Sequence, residues 1–139
     1  MITNDRPASD IREPSPSPEE RRVYRAPVGS TWVVREPSPG PGTVVLSATG
    51  EFDMDTVQCL HEALADARHA GARQTVLDIS QVGFGDSSFL HELVAAHFSH
   101  HHRLVLAGPI PDQLRELFLL TGTLRLFHTV RSRRSIGLT

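Results

Sequence analysis

Residues 74–88 have the sequence QTVLDISQVGFGDSS, which combines a buried strand with the start of a helix. The apolar and β-branched run over residues 74–80 is typical of a strand inside a sheet. Asp86-Ser87-Ser88 then precedes apolar residues spaced three or four apart, which predicts a helix over about residues 87–99. At such a junction we expect a serine hydroxyl to accept a hydrogen bond from a backbone N–H group of the first helical turn.

The same two patterns precede this segment. Residues 31–35 and 43–49 have strand composition on either side of a loop that is rich in proline and glycine. After Gly50 the apolar residues recur at helical spacing as far as Gly71, and Asp53 or Asp55 is expected to cap that helix. Two strands and a helix are therefore predicted before residue 74.

The alternation continues downstream. Residues 104–107 are predicted to form a strand, a third helix ends at Thr121-Gly122, and residues 127–130 form a last strand. This order predicts an α/β domain in which helices pack on a mixed sheet of about four to five strands. The predicted core comprises the apolar residues on the inner face of each element: Leu60, Leu64, Leu77, Ile79, Leu93, Val94 and Leu106.

The N-terminal segment has a different composition. Eight of the ten prolines precede Thr43, and residues 1–29 mix proline with serine, arginine and glutamate without apolar periodicity. We therefore expect residues 1–29 to be disordered and residues 30–139 to form the domain. Residues from about 1 to 28 are expected to be dispensable for folding and partner binding. A short basic tail is expected over residues 131–134.

Composition limits the class of protein. With 139 residues, of which 39% are hydrophobic, the chain can form one compact domain. It shows no secretory signal and no apolar run long enough to span a membrane, so we expect a cytoplasmic protein. A net charge of −2 argues against nucleic-acid binding. The single cysteine, Cys59, lies in the apolar pattern of the first helix, where we expect it to pack and not to react.

The charge is unevenly distributed along the chain. Residues 50–92 contain eight acidic residues against two arginines, a balance of −6, and residues 103–139 contain six arginines against two acidic residues, a balance of +4. Two interpretations stay open: the charges are solvated surface groups, or the acidic part is a docking surface for a basic partner.

Three motifs, in the same order, resemble the STAS domain family. Residues 50–53, GEFD, resemble the family's G-E-L-D, and residues 75–88 are similar to its strand, loop and D-S-S segment. Residues 103–109 and 117–122 resemble a later strand, a helix and the terminal T-G of that helix. Together these segments extend over about residues 43–130, so the resemblance implies a STAS-like fold for nearly the whole domain.

The resemblance also implies a function. In anti-sigma factor antagonists of this family, the first serine after the aspartate is phosphorylated by an anti-sigma factor that is a serine-protein kinase, and Ser87 has this position. The unmodified protein would bind the anti-sigma factor and release a sigma factor, and phosphorylation would abolish that binding. The implied partner surface contains Asp53, Asp86, Ser87, Ser88 and Phe89. We expect no catalytic residue, no cofactor, and neither nucleic acid nor membrane as a partner.

One residue departs from the family pattern. The family has a glycine after D-S-S, where this chain has Phe89. We expect an exposed phenylalanine ring there to fill the space that a glycine leaves for the backbone of a partner. Phe89 therefore favours an alternative within the same fold, an unphosphorylated STAS scaffold subunit of a signalling or transporter assembly.

A histidine cluster suggests an alternative of another class. His91, His97, His100, His101 and His102 lie close together, and His97 and His101 are four apart, a spacing at which helical histidines can share a metal. A small metal-binding or hydrolytic protein using these histidines and Ser87 is therefore the rival hypothesis. A nucleophilic serine is not indicated because the G-x-S-x-G motif is absent. The other interpretation is a solvated helix end, where cationic histidines are favourable.

Overall fold

The computed structural model describes residues 21–99 and 101–136, which form one six-stranded sheet with three helices. The elements in chain order are β1 (Arg22–Arg25), β2 (Trp32–Arg35), β3 (Thr43–Phe52), α1 (Gln58–His69), β4 (Gln74–Gly85), α2 (Ser87–His97), β5 (Arg103–Ala107), α3 (Asp112–Thr121), β6 (His128–Val130) and a short 3-10 helix, Arg133–Ile136. The predicted α/β class with a mixed sheet is confirmed, with six strands in place of four to five. No helix among the described residues is long and apolar enough to cross a membrane.

The strands lie in the sheet in the order in which they occur in the sequence. β1, β2 and β3 pair antiparallel, whereas β3, β4, β5 and β6 pair parallel, with one helix between each of the first three parallel strands and the next. Right-handed crossovers between sequential parallel strands place every connecting helix on the same face. The carboxyl ends of the four parallel strands therefore share one edge of the sheet.

The two faces of the sheet have separate apolar clusters. Leu46, Leu77 and Leu106 are register partners on the face that packs against the buried residues of all three helices. On the other face, register partners Val45, Val76 and Val105 form a second buried cluster. The predicted core is confirmed on the helical face, except that Val94 is only half-buried at its margin.

The folded part begins earlier than predicted. Residues 22–25 form an edge strand on β2, and Tyr24 of that strand joins the helical-face core. The Tyr24 hydroxyl donates to Asp66 of α1 at 2.8 Å, and burial, with the Asp66 contact, raises the pKa of Tyr24 to about 12. The expected boundary at residue 30 is therefore wrong. The dispensability of residues from about 1 to 28 stays a prediction, although Tyr24 indicates that residues 22–25 contribute to the core. Residues 1–20 of that segment lie outside the described residues.

The basic tail is attached to the back of the sheet. Arg133 donates to the Ser47 hydroxyl at 3.1 Å and lies 3.8 Å from the Asp78 carboxylate and 3.9 Å from the Glu36 carboxylate. Ser47 in turn donates to Glu36 at 3.0 Å. The tail is thus held by a half-buried polar network on the face opposite the helices.

β4 extends five residues beyond its predicted end at Ser80. It pairs with β3 along its full length through two register shifts, and Gly50 lies between them at φ +110°. A side chain at Gly50 would meet the Ser30 carbonyl oxygen at 2.6 Å, so the close approach requires glycine. The Thr31 hydroxyl fixes this irregular segment by bonding the carbonyl and the N–H group of Glu51 at 2.9 and 3.1 Å.

Candidate functional site

The ends of β3 and β4 bring the two acidic motifs together. Phe52 and Gly85 are register partners, and the Asp86 N–H group donates to the Phe52 carbonyl at 3.2 Å. Asp53 and Asp86, which follow these two residues, are therefore neighbours at the carboxyl edge of the sheet. The sequence places them 33 positions apart, and the parallel pairing of β3 with β4 makes them part of one site.

Asp86 is the cap of α2. Its Oδ1 atom accepts hydrogen bonds from the N–H groups of Ser88 at 2.8 Å and Phe89 at 3.3 Å. The expectation that a serine caps this helix is wrong because the aspartate lies one residue earlier, at the cap position itself. Ser87 is instead the first helical residue.

Ser87 is exposed at this helix N-terminus. Its hydroxyl forms no hydrogen bond with any other residue in the ranges 21–99 and 101–136. Ser88, the next residue, is half-buried. Of the two serines, Ser87 is therefore the one whose hydroxyl is accessible to another molecule.

The Asp53 carboxylate accepts hydrogen bonds within its own turn. Its Oδ1 accepts from the N–H groups of Asp55 and Thr56 and from the Thr56 hydroxyl, at 2.9, 3.2 and 3.1 Å. The cap position of α1 is Val57, which offers no side-chain hydrogen bond, so the expectation that Asp53 or Asp55 caps this helix is wrong. Asp53 thus stabilises the turn that leads into α1, and Asp55 extends into solvent.

Phe89 faces the interior. Its side chain is 0% exposed, and its ring lies 5.3 Å from the Phe52 ring in a tilted pair. A side chain at Gly85 would approach the Phe89 ring to 2.6 Å, so the glycine makes room for it. The expectation of an exposed ring is wrong because position 89 shares the inner face of α2 with Leu93 and Ala96. In this conformation Phe89 supports the site from below and does not contact a partner.

A shallow depression of about 560 Å³ lies beside Ser87. It is lined by residues from the turn before α1 and from the first two turns of α2: Met54, Val57, Ser87, Ser88, His91 and Glu92. Met54 is 79% exposed, and Phe84, near the end of β4, is 41% exposed. Sequence reasoning missed both residues because a single apolar residue in a loop or at a strand end has no periodicity to reveal its exposure.

Glu92 lines this depression, and only part of the acidic excess of residues 50–92 lies near it. Asp66 accepts a hydrogen bond from Tyr24 and lies 3.7 Å from Arg22, and Asp78 lies 3.8 Å from Arg133. These two carboxylates therefore contact other parts of the domain and not the depression. Four of the other six lie at the ends of β3 and β4 or on the adjoining turns: Glu51, Asp53, Asp55 and Asp86. Glu62 lies on α1 and Glu92 on α2. Glu92 pairs with His61 of α1 at 2.9 Å and so joins the two helices that border the site.

The histidine cluster is dispersed in the structure. His102 is 8% exposed, and its Nε2 atom is hydrogen-bonded to the Thr75 hydroxyl at 2.7 Å. His97 packs against the rings of Phe98 and Phe127, and His91 borders the depression. His100 lies outside the described residues. Among residues 21–99 and 101–136, no three histidine, cysteine or carboxylate side chains are grouped so as to hold a metal ion.

Cys59 has the predicted packing role. Its thiol is buried and donates to the Thr56 carbonyl at 3.2 Å, and burial raises its pKa, which favours the unreactive protonated form.

The fold and the sequence match a known family. The family model described as "Mlab, STAS domain" matches residues 38–127, more than half of the chain. The chain therefore belongs to the STAS domain family. No curated protein sequence matches it.

Solved structures of anti-sigma factor antagonists have a similar fold. One from Mycobacterium paratuberculosis has a TM-score of 0.63 and 21% identity, covering 86% of this chain and 92% of that protein. SpoIIAA in its unphosphorylated form has a TM-score of 0.54 and 19% identity, covering 74% of this chain and 91% of that protein. The phosphorylated form of the Bacillus cell fate determinant SpoIIAA has a TM-score of 0.50 and 20% identity, covering 74% of this chain and 95% of that protein. At these identities the likeness establishes the fold.

Proposed function

We propose that this protein is an anti-sigma factor antagonist. In this proposal the unmodified chain binds an anti-sigma factor of the serine-kinase type in the cytoplasm, releases a sigma factor, and is switched off by phosphorylation of Ser87. It acts by binding and catalyses no reaction. The observation that carries the proposal is the exposed Ser87 hydroxyl at the N-terminus of α2, which forms no hydrogen bond with the described residues. It has the position at which the family's antagonists are phosphorylated.

The hydrogen bonds at the start of α2 indicate that a phosphate on Ser87 would affect a binding partner and not the fold. The Asp86 carboxylate already occupies the N–H groups of Ser88 and Phe89, so a phosphate on Ser87 would have few free backbone donors to fold back onto. It would add roughly −1.5 to −2 charges to a surface that is already acidic. The helix dipole tolerates an anion at this end, so the fold should be unaffected. The added charge would instead oppose a partner.

The surroundings of Ser87 indicate what kind of partner fits. Met54 offers an exposed apolar side chain in the depression beside Ser87, Glu92 lines the same depression, and Asp55 is exposed next to Met54 in the chain. An apolar centre with a charged rim is a common arrangement in protein interfaces. The complementary partner surface has an apolar patch bordered by arginine or lysine. A phosphate that reduces binding by about 3–4 kcal/mol would lower the affinity about 10²- to 10³-fold, enough for a switch.

Burial of Phe89 weakens the scaffold alternative. That alternative depended on a ring that fills the partner's space, whereas the ring lies inside the core. The glycine-to-phenylalanine departure therefore changes the interior beneath the site and leaves the outer surface open to a kinase.

Phosphorylation by candidate anti-sigma kinases tests the proposal. The protein is incubated with each kinase and ATP, and mass spectrometry locates any phosphate. We expect one phosphate on Ser87, none in Ser87→Ala, and normal modification of the neighbouring control Ser88→Ala. Binding of the same kinase should be lost after modification. Phosphate on another residue, or binding that survives phosphate on Ser87, would refute the switch.

A further inference from the structure

A second concave site lies at the carboxyl ends of β5 and β6. It is a cavity of about 460 Å³ lined by residues 108–110, residues 129–131 and Arg115 of α3. It shares no lining residue with the depression beside Ser87. The volume lies within the range of pockets that take small molecules, about 300–1,000 Å³.

Two arginines give this cavity its charge. Arg115 and Arg131 are exposed, and neither forms an ion pair with a carboxylate of residues 21–99 or 101–136. Arg133, two residues further along, is instead held by Glu36 and Asp78. The carboxylates of α3, Asp112 and Glu116, do not line the cavity. Two positive charges therefore border one concavity without a described counter-ion.

The remaining walls are largely apolar. Ile110 and Val130 are half-buried, and Pro109 is exposed beside them. The backbone is fixed here because the Gly108 N–H group donates to the Val130 carbonyl at 3.0 Å, which ties the end of β5 to β6. A ligand with an anionic group alone would leave these apolar walls uncovered.

We propose that this cavity binds a small molecule that has an oxyanion group, a phosphate or a carboxylate, on a compact apolar body. The guanidinium groups of Arg115 and Arg131 would bind the oxyanion, for which their planar donor geometry is suited. The body would lie against Ile110 and Val130. The inference does not depend on the function proposed for Ser87.

NMR titration of the isotope-labelled protein with three probes tests this site. Phenyl phosphate should shift the amide signals of residues 108, 110 and 129–131 saturably, and several-fold more tightly than inorganic phosphate, because the ring adds apolar contact. Benzoate distinguishes the head groups: binding of both aromatic probes supports a general oxyanion site, and binding of phenyl phosphate alone supports a phosphate site. No saturable shift with any probe, or shifts centred on another part of the domain, would overturn the proposal.

Matched variants then test the two arginines. Arg115→Gln combined with Arg131→Gln should weaken phenyl phosphate about tenfold or more, because each removes a charge-assisted hydrogen-bonding group. Arg125→Gln, an exposed arginine outside the cavity, should bind like the parent. Equal binding by the double variant and the parent would refute the assignment. Ser87→Asp should leave probe binding unchanged, so failure of this site and failure of the Ser87 switch are distinguishable.

Discussion

The first turn of α2 has two sides with opposite properties. Ser87 lies on the outer side, exposed and free of hydrogen bonds to the described residues, whereas Phe89 lies on the inner side and is fully buried against Phe52. Only two positions separate them along the chain. Asp86, one residue before Ser87, accepts hydrogen bonds from the N–H groups of Ser88 and Phe89 and so stabilises this turn.

This difference separates stability from recognition within one turn. A substitution on the inner side changes the packing and therefore the free energy of unfolding. A substitution on the outer side changes the surface that a partner contacts. The departure from the family glycine at position 89 therefore belongs to the core, and the family's phosphorylated position at Ser87 is unaffected by it. The following substitutions test how complete this separation is.

The largest effect is expected for Phe89→Gly. Removing the buried ring leaves a cavity, which costs about 3–5 kcal/mol for a phenylalanine, and glycine adds about 1 kcal/mol of lost helix propensity. Urea unfolding followed by fluorescence of the single tryptophan, Trp32, measures the loss. Phe89→Leu should cost less and stay folded for comparison. Phe98→Ala, at a side chain 65% exposed, is the control and should change little. A Phe89→Gly protein as stable as the parent would show that the ring is not buried.

A smaller effect is expected for Asp86→Ala. Loss of the cap should cost about 0.5–2 kcal/mol in free energy of unfolding. Asp86→Asn keeps an oxygen acceptor and should retain most of that stability. Asp55→Ala removes a nearby exposed carboxylate that has no capping role. If Asp55→Ala destabilises as much as Asp86→Ala, the net charge and not the cap stabilises this region.

The same contrast between a buried and an exposed position holds for two histidines, His102 and His91. Burial, reinforced by the Arg68 charge and partly offset by the Ala96 carbonyl, lowers the pKa of His102 from its usual 6.5. The unfolded chain therefore takes up the proton first as the pH falls below 6.5, and the free energy of unfolding should decrease there. His102→Gln should show a shallower decrease, whereas His91→Gln, at an exposed position, should follow the parent. Equal pH profiles for parent and His102→Gln would contradict the buried position.

The smallest effect on stability is expected at Ser87. Because Asp86 provides the cap, Ser87→Ala and Ser87→Asp should each change the free energy of unfolding by less than about 0.5 kcal/mol, as is usual for surface positions. Their effects on binding should differ. Ser87→Ala should keep the partner, and Ser87→Asp should weaken it at least about tenfold, a cost of about 1.4 kcal/mol. A marked loss of stability in either variant would show that the outer side also supports the fold.

Much of this fold was predictable from periodicity and capping residues. α2 was predicted within about two residues, and the end of α3 at Thr121 was predicted correctly, because apolar spacing and the Gly122 end are local signals. β1 was missed because four residues among prolines provide no alternation long enough to indicate a strand. The extension of β4 through Gly83 and Gly85 depends on pairing with β3, which a local pattern does not contain.

The sequence predicted the position of the site correctly, but it did not predict which residue caps α2 or on which side the Phe89 ring lies. The D-S-S motif located Ser87, but a serine and an aspartate are both good caps, and a shift of one residue exchanges their roles. For Phe89 the signal was present, since residues 89, 93 and 96 have the spacing of one helical face. Met54 and Phe84 had no such signal, because a single apolar residue in a turn or at a strand end is not part of a periodic pattern.

The order of strands in the sheet has a consequence for how the chain folds. Since every strand pairs with its immediate predecessor, each pairing closes only the loop between consecutive elements, so the strand pairings do not require the entropy of bringing distant segments together. Such a topology has a low contact order for a parallel sheet, which correlates with fast folding. We expect the growing sheet to add β4, β5 and β6 one at a time, and the contacts of Arg133 with Glu36 and Ser47 on the back of the sheet to form last.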